Sequence, residues 1–310
     1  MASGTRLGHK GPKGTFKLIG DNTLFELICN TLKEGCKKYN VSIPWYIMTS
    51  EENNDETISF FESKNYLGYK KEDIIFFKQG ELPMIGTDGK ILLDKFGFVK
   101  KAADGHGGIF NAILKNNLIN DMKTRGLEWL FIGGVDNCLV KMCDPIFMGI
   151  TIEKNYLAAG KSLVKANPQE KVGVFCMRNG KPSVIEYTEI SKEMAEARDE
   201  NGELLYGEGH VLMNMFNIKA IENLEHNRLP YHSAFKKAEC LDKNGNLITP
   251  DSPNAYKFES FIFDAFSKID NMLIMRVKRE EEFAPVKNAE GVDSPETARE
   301  LYLNYIKGEK

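Results

Sequence analysis

The chain has 310 residues, 42% of them hydrophobic and 27% charged, and a formal net charge of −3. These figures suit a globular protein with a large core and exclude the broad basic field of a nucleic-acid binder. Six scattered cysteines form no Cys-x-x-Cys pair, which argues against a disulfide framework or structural zinc. No signal peptide opens the chain, and no apolar run approaches the roughly 20 residues that cross a bilayer. The expected setting is the cytoplasm, with no membrane partner.

The first stretch of note is SGTRLGHKGPKG, residues 3–14, where Gly4, Gly8, Gly11 and Gly14 surround Arg6, Lys10 and Lys13. Glycines let successive backbone N–H groups turn toward an anion, and the cations neutralise it. On composition alone, a phosphate loop and a plain basic segment both stay open, and the spacing is not that of a P-loop. NTLFELICNTLKEGCKKY follows, with Leu24, Leu27, Ile28, Thr31 and Leu32 on one helical face and Asp21 or Asn22 available as cap. PWYIMTS (44–50) predicts a strand, then comes a helix bearing Ile58, Phe60 and Phe61, then a strand in DIIFFKQG (73–80). Residues 107–126 predict one helix bracketed by glycines. LEWLFIGGVDN (127–137) predicts a buried strand running into a loop.

The second half predicts a hairpin turning at Asn179–Gly180, a strand in HVLMNMFNI, an amphipathic helix in NAYKFESFIFDAFSKI and a strand in NMLIMRVK. A last helix is capped by Ser294 with Pro295 at its first position. Strands alternating with helices predict an α/β fold whose central mixed sheet is mostly parallel and covered by helices on both faces. Ligands in such sheets bind at the carboxyl ends of the strands. No repeat or linker divides the chain, so one domain over 1–310 is expected.

GTRLG and PKG in the opening segment, FFKQGELPMIGTDGKILL (76–93), ADGHGG (103–108), GGVDNCLVKMCDP (133–145) and VKNAEG (286–291) together resemble the eukaryotic-type UDP-sugar pyrophosphorylases. VGVFCMRNGKPSVIEYTEIS, LPYHSAFKK and KFESFIFDAF continue the likeness in the same order. The UDP-N-acetylglucosamine branch is the most similar. The resemblance implies a Rossmann-like nucleotidyltransferase fold, with about 1–145 as the nucleotide half and 146–310 as the sugar half. It also implies Mg²⁺-dependent uridylyl transfer between UTP and a sugar 1-phosphate. Both reactants are polyanions, so the chemistry is neutralisation and in-line positioning, and no covalent triad is needed.

The same resemblance implies the site residues. Arg6, Lys13 and Lys287 would act on the phosphates as the catalytic cations, with Arg6 on the leaving pyrophosphate, and Asp136 would hold Mg²⁺. Gly4, Gln79 and Gly105 would bind the nucleotide, Gln79 through the uracil edge. His106, Glu186, Asn214, Phe261 and Phe263 would contact the sugar, although the apolar run FESFIFDAF predicts core packing for at least one phenylalanine. Two features depart from the branch. His106 stands where those enzymes carry asparagine, as in the glucose enzymes, and Met1-Ala2 stands where a glycine pair and a preceding strand are expected. The alternatives are therefore a glucose-1-phosphate uridylyltransferase and a catalytically impaired UDP-sugar-binding fragment.

Overall fold

The computed structural model describes residues 7–225 and 228–308. A 3-10 turn at Lys13–Thr15 leads into the short hairpin β1 (Lys17–Ile19) and β2 (Asn22–Thr23), then α1 (Leu24–Tyr39). The α1 cap is Thr23, one residue beyond the expected Asp21 or Asn22. Its hydroxyl accepts from Glu26 N, and the Glu26 carboxylate accepts the Thr23 N–H at 2.7 Å. This reciprocal box satisfies two donors that a helix start would leave orphaned.

β3 (Trp45–Thr49), α2 (Asn54–Ser63) and β4 (Ile74–Lys78) form a βαβ unit, and its two strands pair in parallel. Next come β5 (Glu81–Pro83), β6 (Ile85–Gly86) and β7 (Lys101–Ala103). The single helix expected over 107–126 is two, α3 (Gly108–Lys115) and α4 (Leu118–Thr124). Asn117 separates them in the left-handed region at φ 54°, a conformation asparagine tolerates better than most residues.

The larger sheet is built from β8 (Trp129–Gly133), β9 (Ala158–Val164), β10 (Val174–Arg178), β11 (Lys181–Ile185), β12 (Glu208–Asn217) and β17 (Leu273–Arg276). Helix α5 (Pro145–Glu153) precedes β9, and α6 (Lys192–Glu196) and α7 (Ile218–Asn223) flank β12. Long β12 runs antiparallel to β8, β9 and β10, and β10 pairs antiparallel with β11 through the expected Asn179–Gly180 turn. Only β9 and β17 are parallel within this sheet. The expectation of a mostly parallel sheet is thus corrected to a mixed sheet with mainly antiparallel pairs. The reason is local: β12 enters against its neighbours, and a tight hairpin can only make an antiparallel pair.

The remaining strands are β13 (His232–Lys236), β14 (Cys240–Leu241), β15 (Leu247–Ile248) and β16 (Ala255–Glu259). β16 pairs antiparallel with β13 and with β6. The amphipathic helix expected over 254–269 is therefore a strand followed by a 3-10 turn at Ile262–Lys268. After β17 come α8 (Arg279–Glu282) and α9 (Pro295–Lys307), the latter with the expected Ser294 cap and Pro295 start.

Helices cover both faces of the sheet, as the alternation along β12 requires. Phe216 joins the α3, α4 and α7 side chains Phe110, Met122 and Ile221 in one core. Val211 and Met213 face α1 through Ile28 and Leu32, and Met215 meets Phe147 of α5. No helix among the described residues is long and apolar enough to cross a membrane.

Candidate active site

A cavity of about 600 Å³ opens beside the carboxyl ends of β3, β4 and β8. Its polar lining gathers Lys13, Gln79, Gly105, His106 and Asp136 from four separate stretches of sequence. Much of the remaining lining is apolar and comes from β3 and β8, including Trp45, Ile47, Phe131 and Ile132. Gly4 and Arg6 lie outside the described residues.

Gln79 ends β4. Its backbone N–H donates to Thr49 O at 2.8 Å, and its Nε2 donates to Gly105 O at 2.9 Å and Asp104 Oδ1 at 3.2 Å. The amide thereby ties the end of β4 to the Asp104-Gly105-His106 turn. Asp104 is buried, and burial pushes its carboxyl above the usual range. Gly105 sits at φ 85°, where a side chain would run into the backbone of Ser260. Only glycine lets this turn lie so close to the segment after β16.

His106 Nδ1 accepts the Ile262 N–H at 3.0 Å, which leaves the ring proton on Nε2. Burial lowers its pKa to about 4, so the imidazole is neutral at pH 7. Its ring lies 5.3 Å from Phe261 and 6.0 Å from Phe263. Phe263 is 5% exposed and belongs to the main core, whereas Phe261 is half-buried and packs on that core. The expectation that at least one phenylalanine packs in the core is met by Phe263. The aromatic wall continues from Phe263 to His210, whose Nε2 lies 3.2 Å from Asn214 Oδ1. Asn214 is fully buried and its Nδ2 has no hydrogen-bond partner among the described residues. Such an orphaned donor is costly.

Asp136 follows β8 through Gly133-Gly134. A side chain at Gly134 would come within 2.6 Å of Asp136 Oδ1, so the second glycine makes room for the carboxylate. That carboxylate meets no hydrogen-bond or ion-pair partner among the described residues. The Asp136 carbonyl accepts Val286 N at 2.9 Å, which places the segment carrying Lys287 beside it. Lys287 pairs with Asp293 at 3.2 Å and its ammonium sits 5.2 Å from the Phe283 ring centre. Glu186 is half-buried at the end of β11. Burial raises its pKa, and His232 and Lys287 act against that rise from electrostatic range.

Of the residues singled out from sequence, five thus line one cavity. Phe261 and Phe263 back its His106 edge, and Lys287 is tied to Asp136 through the backbone. Asn214 and Glu186 are not part of the lining. Two cavity residues escaped the sequence reading: Lys257 and Glu259 of β16, paired at 2.8 Å. Their two-residue spacing puts both on one face of a strand, a signal lost when the segment is read as a helix.

Comparison with known proteins shows the family. The sequence profile of the UTP–glucose-1-phosphate uridylyltransferase family matches residues 2–293. The chain belongs to that family. Within it, the UDP-N-acetylhexosamine pyrophosphorylase-like protein 1 of Xenopus tropicalis is 38% identical over 97% of this chain and 61% of its own. The UDP-N-acetylglucosamine pyrophosphorylase of Saccharomyces cerevisiae is 38% identical over 97% of this chain and 66% of its own. A solved UDP-N-acetylglucosamine pyrophosphorylase from Trypanosoma brucei, in complex with an inhibitor, superposes with a TM-score of 0.86. It is 31% identical over 98% of this chain and 63% of its own. This member of the uridylyltransferase family therefore spans about three fifths of the length of the curated relatives it matches.

Proposed function

We propose that the chain catalyses Mg²⁺-dependent uridylyl transfer from UTP to a sugar 1-phosphate, with N-acetylglucosamine 1-phosphate as the preferred acceptor. A phosphate oxygen of the sugar attacks the α-phosphorus of UTP, the bond to the bridging oxygen breaks, and pyrophosphate leaves with that oxygen. The observation that carries this reading is the convergence on one cavity of Lys13, the Gln79 amide and the Asp136 carboxylate, which has no hydrogen-bond or ion-pair partner among the described residues. Each serves a different part of a nucleotide.

In this reading Gln79 holds the uracil edge, with Gly105 allowing close approach of the nucleotide. Lys13 neutralises the UTP phosphates, and Arg6, beside Gly4, takes the departing pyrophosphate. Lys287 lies on the α-phosphate, where charge develops in the transition state. His106, Glu186, Asn214, Phe261 and Phe263 orient the sugar.

Asp136 fits a metal ligand because its carboxylate is uncommitted and has space. No group of three His, Cys, Asp or Glu side chains is clustered for a metal among the described residues. That suits a hard cation bound by one carboxylate and completed by phosphate and water. Bound there, Mg²⁺ would neutralise phosphate charge.

The test is pyrophosphate release with UTP, Mg²⁺ and a panel of sugar 1-phosphates. Turnover is expected, fastest with the N-acetylglucosamine compound. No turnover with any sugar would reduce the chain to a binder of UDP-sugars.

A further inference from the structure

We propose that Asn137 is the positioning residue of this site, fixing Asp136 and Lys287 relative to each other. The inference rests on the functional reading above. Asn137 is 6% exposed, so its side chain is out of reach of substrate. Its amide instead spans two segments about 145 residues apart in sequence. Nδ2 donates to Glu282 O at 2.7 Å, while Oδ1 accepts Ala284 N at 2.9 Å and Leu139 N at 3.2 Å. One side chain thus closes its own turn and grips the opposite segment with a donor and an acceptor.

Backbone bonds continue the seam on both sides of Asn137. Cys138 N donates to Ala284 O at 3.2 Å, Val286 N donates to Asp136 O at 2.9 Å, and Asn137 itself bridges to Pro285. The grip ends one residue short of Lys287. Its other end is anchored in the core: Glu282 Oε2 lies 2.5 Å from Lys161 Nζ, and that fully buried ammonium also meets Asp144 at 2.7 Å. The turn bearing Asp136 and the segment bearing Lys287 are therefore held together; Cys138 Sγ adds a weak bond to Ala284 O at 3.3 Å, and Asn137 is the side chain that grips the segment with both a donor and an acceptor. An amide suits this task because the seam needs a donor and an acceptor two atoms apart.

Asn137→Asp keeps the acceptor and the shape but turns an oxygen toward the Glu282 carbonyl. Asp136 and Lys287 should then separate while the uracil and sugar contacts stay in place. A misplacement of about 1 Å can cost about 10²-fold in rate. The expected result for Asn137→Asp is a fall in kcat of about 10- to 100-fold, with KM for the sugar 1-phosphate nearly unchanged and KM for UTP raised no more than several-fold. Half-saturating Mg²⁺ should rise several-fold. Binding gives a readout independent of turnover: Mn²⁺–UTP, followed by the Mn²⁺ resonance, should bind several-fold more weakly, with metal-free UTP unaffected.

A merely structural role would lower Tm and leave kcat per folded molecule and the metal dependence alone. Folded Asn137→Asp with wild-type kcat and wild-type Mn²⁺–UTP affinity would overturn the proposal, as would KM values that all rise together. If that variant does not fold, Asn137→Ser is judged by the same criteria. If the wild-type protein neither turns over nor binds Mn²⁺–UTP, the functional reading fails and takes this inference with it. If it binds without turning over, the binding comparison alone decides.

Discussion

His106 accepts a backbone N–H through Nδ1 and is neutral, so it offers the cavity a single N–H donor from Nε2. An asparagine could accept the same Ile262 N–H through its side-chain oxygen, but with a shorter, differently shaped group beside Phe261 and Phe263. His106→Asn is therefore expected to shift the ratio of kcat/KM values toward the acetylated sugar, by about 10-fold for a change of about 1.4 kcal/mol. An unmoved ratio would remove His106 from sugar selection. Asp136 is the sharper case, because it belongs to no group of three potential metal ligands among the described residues. Asp136→Ala is expected to lower kcat by about 10³-fold or more, in line with loss of a group that stabilises developing charge. Pyrophosphate release across a Mg²⁺ titration checks it, and a metal dependence like the wild type's would exclude Asp136 as ligand.

At the scale of elements, the sequence is easiest to read where a short apolar run is bounded by polar or turn residues. The strands 45–49, 74–78 and 129–133 and the Asn179–Gly180 hairpin stand where apolar runs and turn chemistry place them. β16 does not, because AYKFE runs straight into the aromatic 3-10 turn and the combined run imitates a helical face. Tertiary pairing with β13 and β6 decided that segment against its helix-like apolar pattern. The cost of the misreading was Lys257 and Glu259 at the cavity. The site was legible as separate motifs, but the seam between residues 136–138 and 282–286 required the fold. The α1 cap lies between these cases, since Thr23 and Glu26 have capping-box spacing. Thr23→Ala is expected to destabilise the protein by about 1 kcal/mol, read from the urea midpoint. The same change should leave KM for UTP unaltered, because the box faces the helix start and is not part of the cavity lining.

Across the whole molecule, two histidines, half-buried His106 and buried His210, set an acid limit on stability. Burial lowers His106 to about 4 and His210 to about 3, against an ordinary value near 6.5. The unfolded chain therefore takes up protons first as the pH falls. Stability is full above the unfolded value and is lost progressively down to the folded values. By pH 5.5 each histidine should cost on the order of 1 kcal/mol relative to pH 7.5. The buried carboxyls of Asp104 and Glu282 and the half-buried ones of Glu186 and Asp264 are shifted upward. They work in the opposite sense, gaining protons more readily when folded, so the histidine loss should show most clearly before the carboxyls titrate. His210→Gln removes one titrating ring and retains a donor for Asn214 Oδ1. The drop in urea midpoint between pH 7.5 and 5.5 is expected to be about half as large in this variant as in the wild type. Its KM for UTP should not change, since His210 sits behind Phe263 and away from the nucleotide end of the cavity. An equal drop in both proteins would assign the acid sensitivity to other groups.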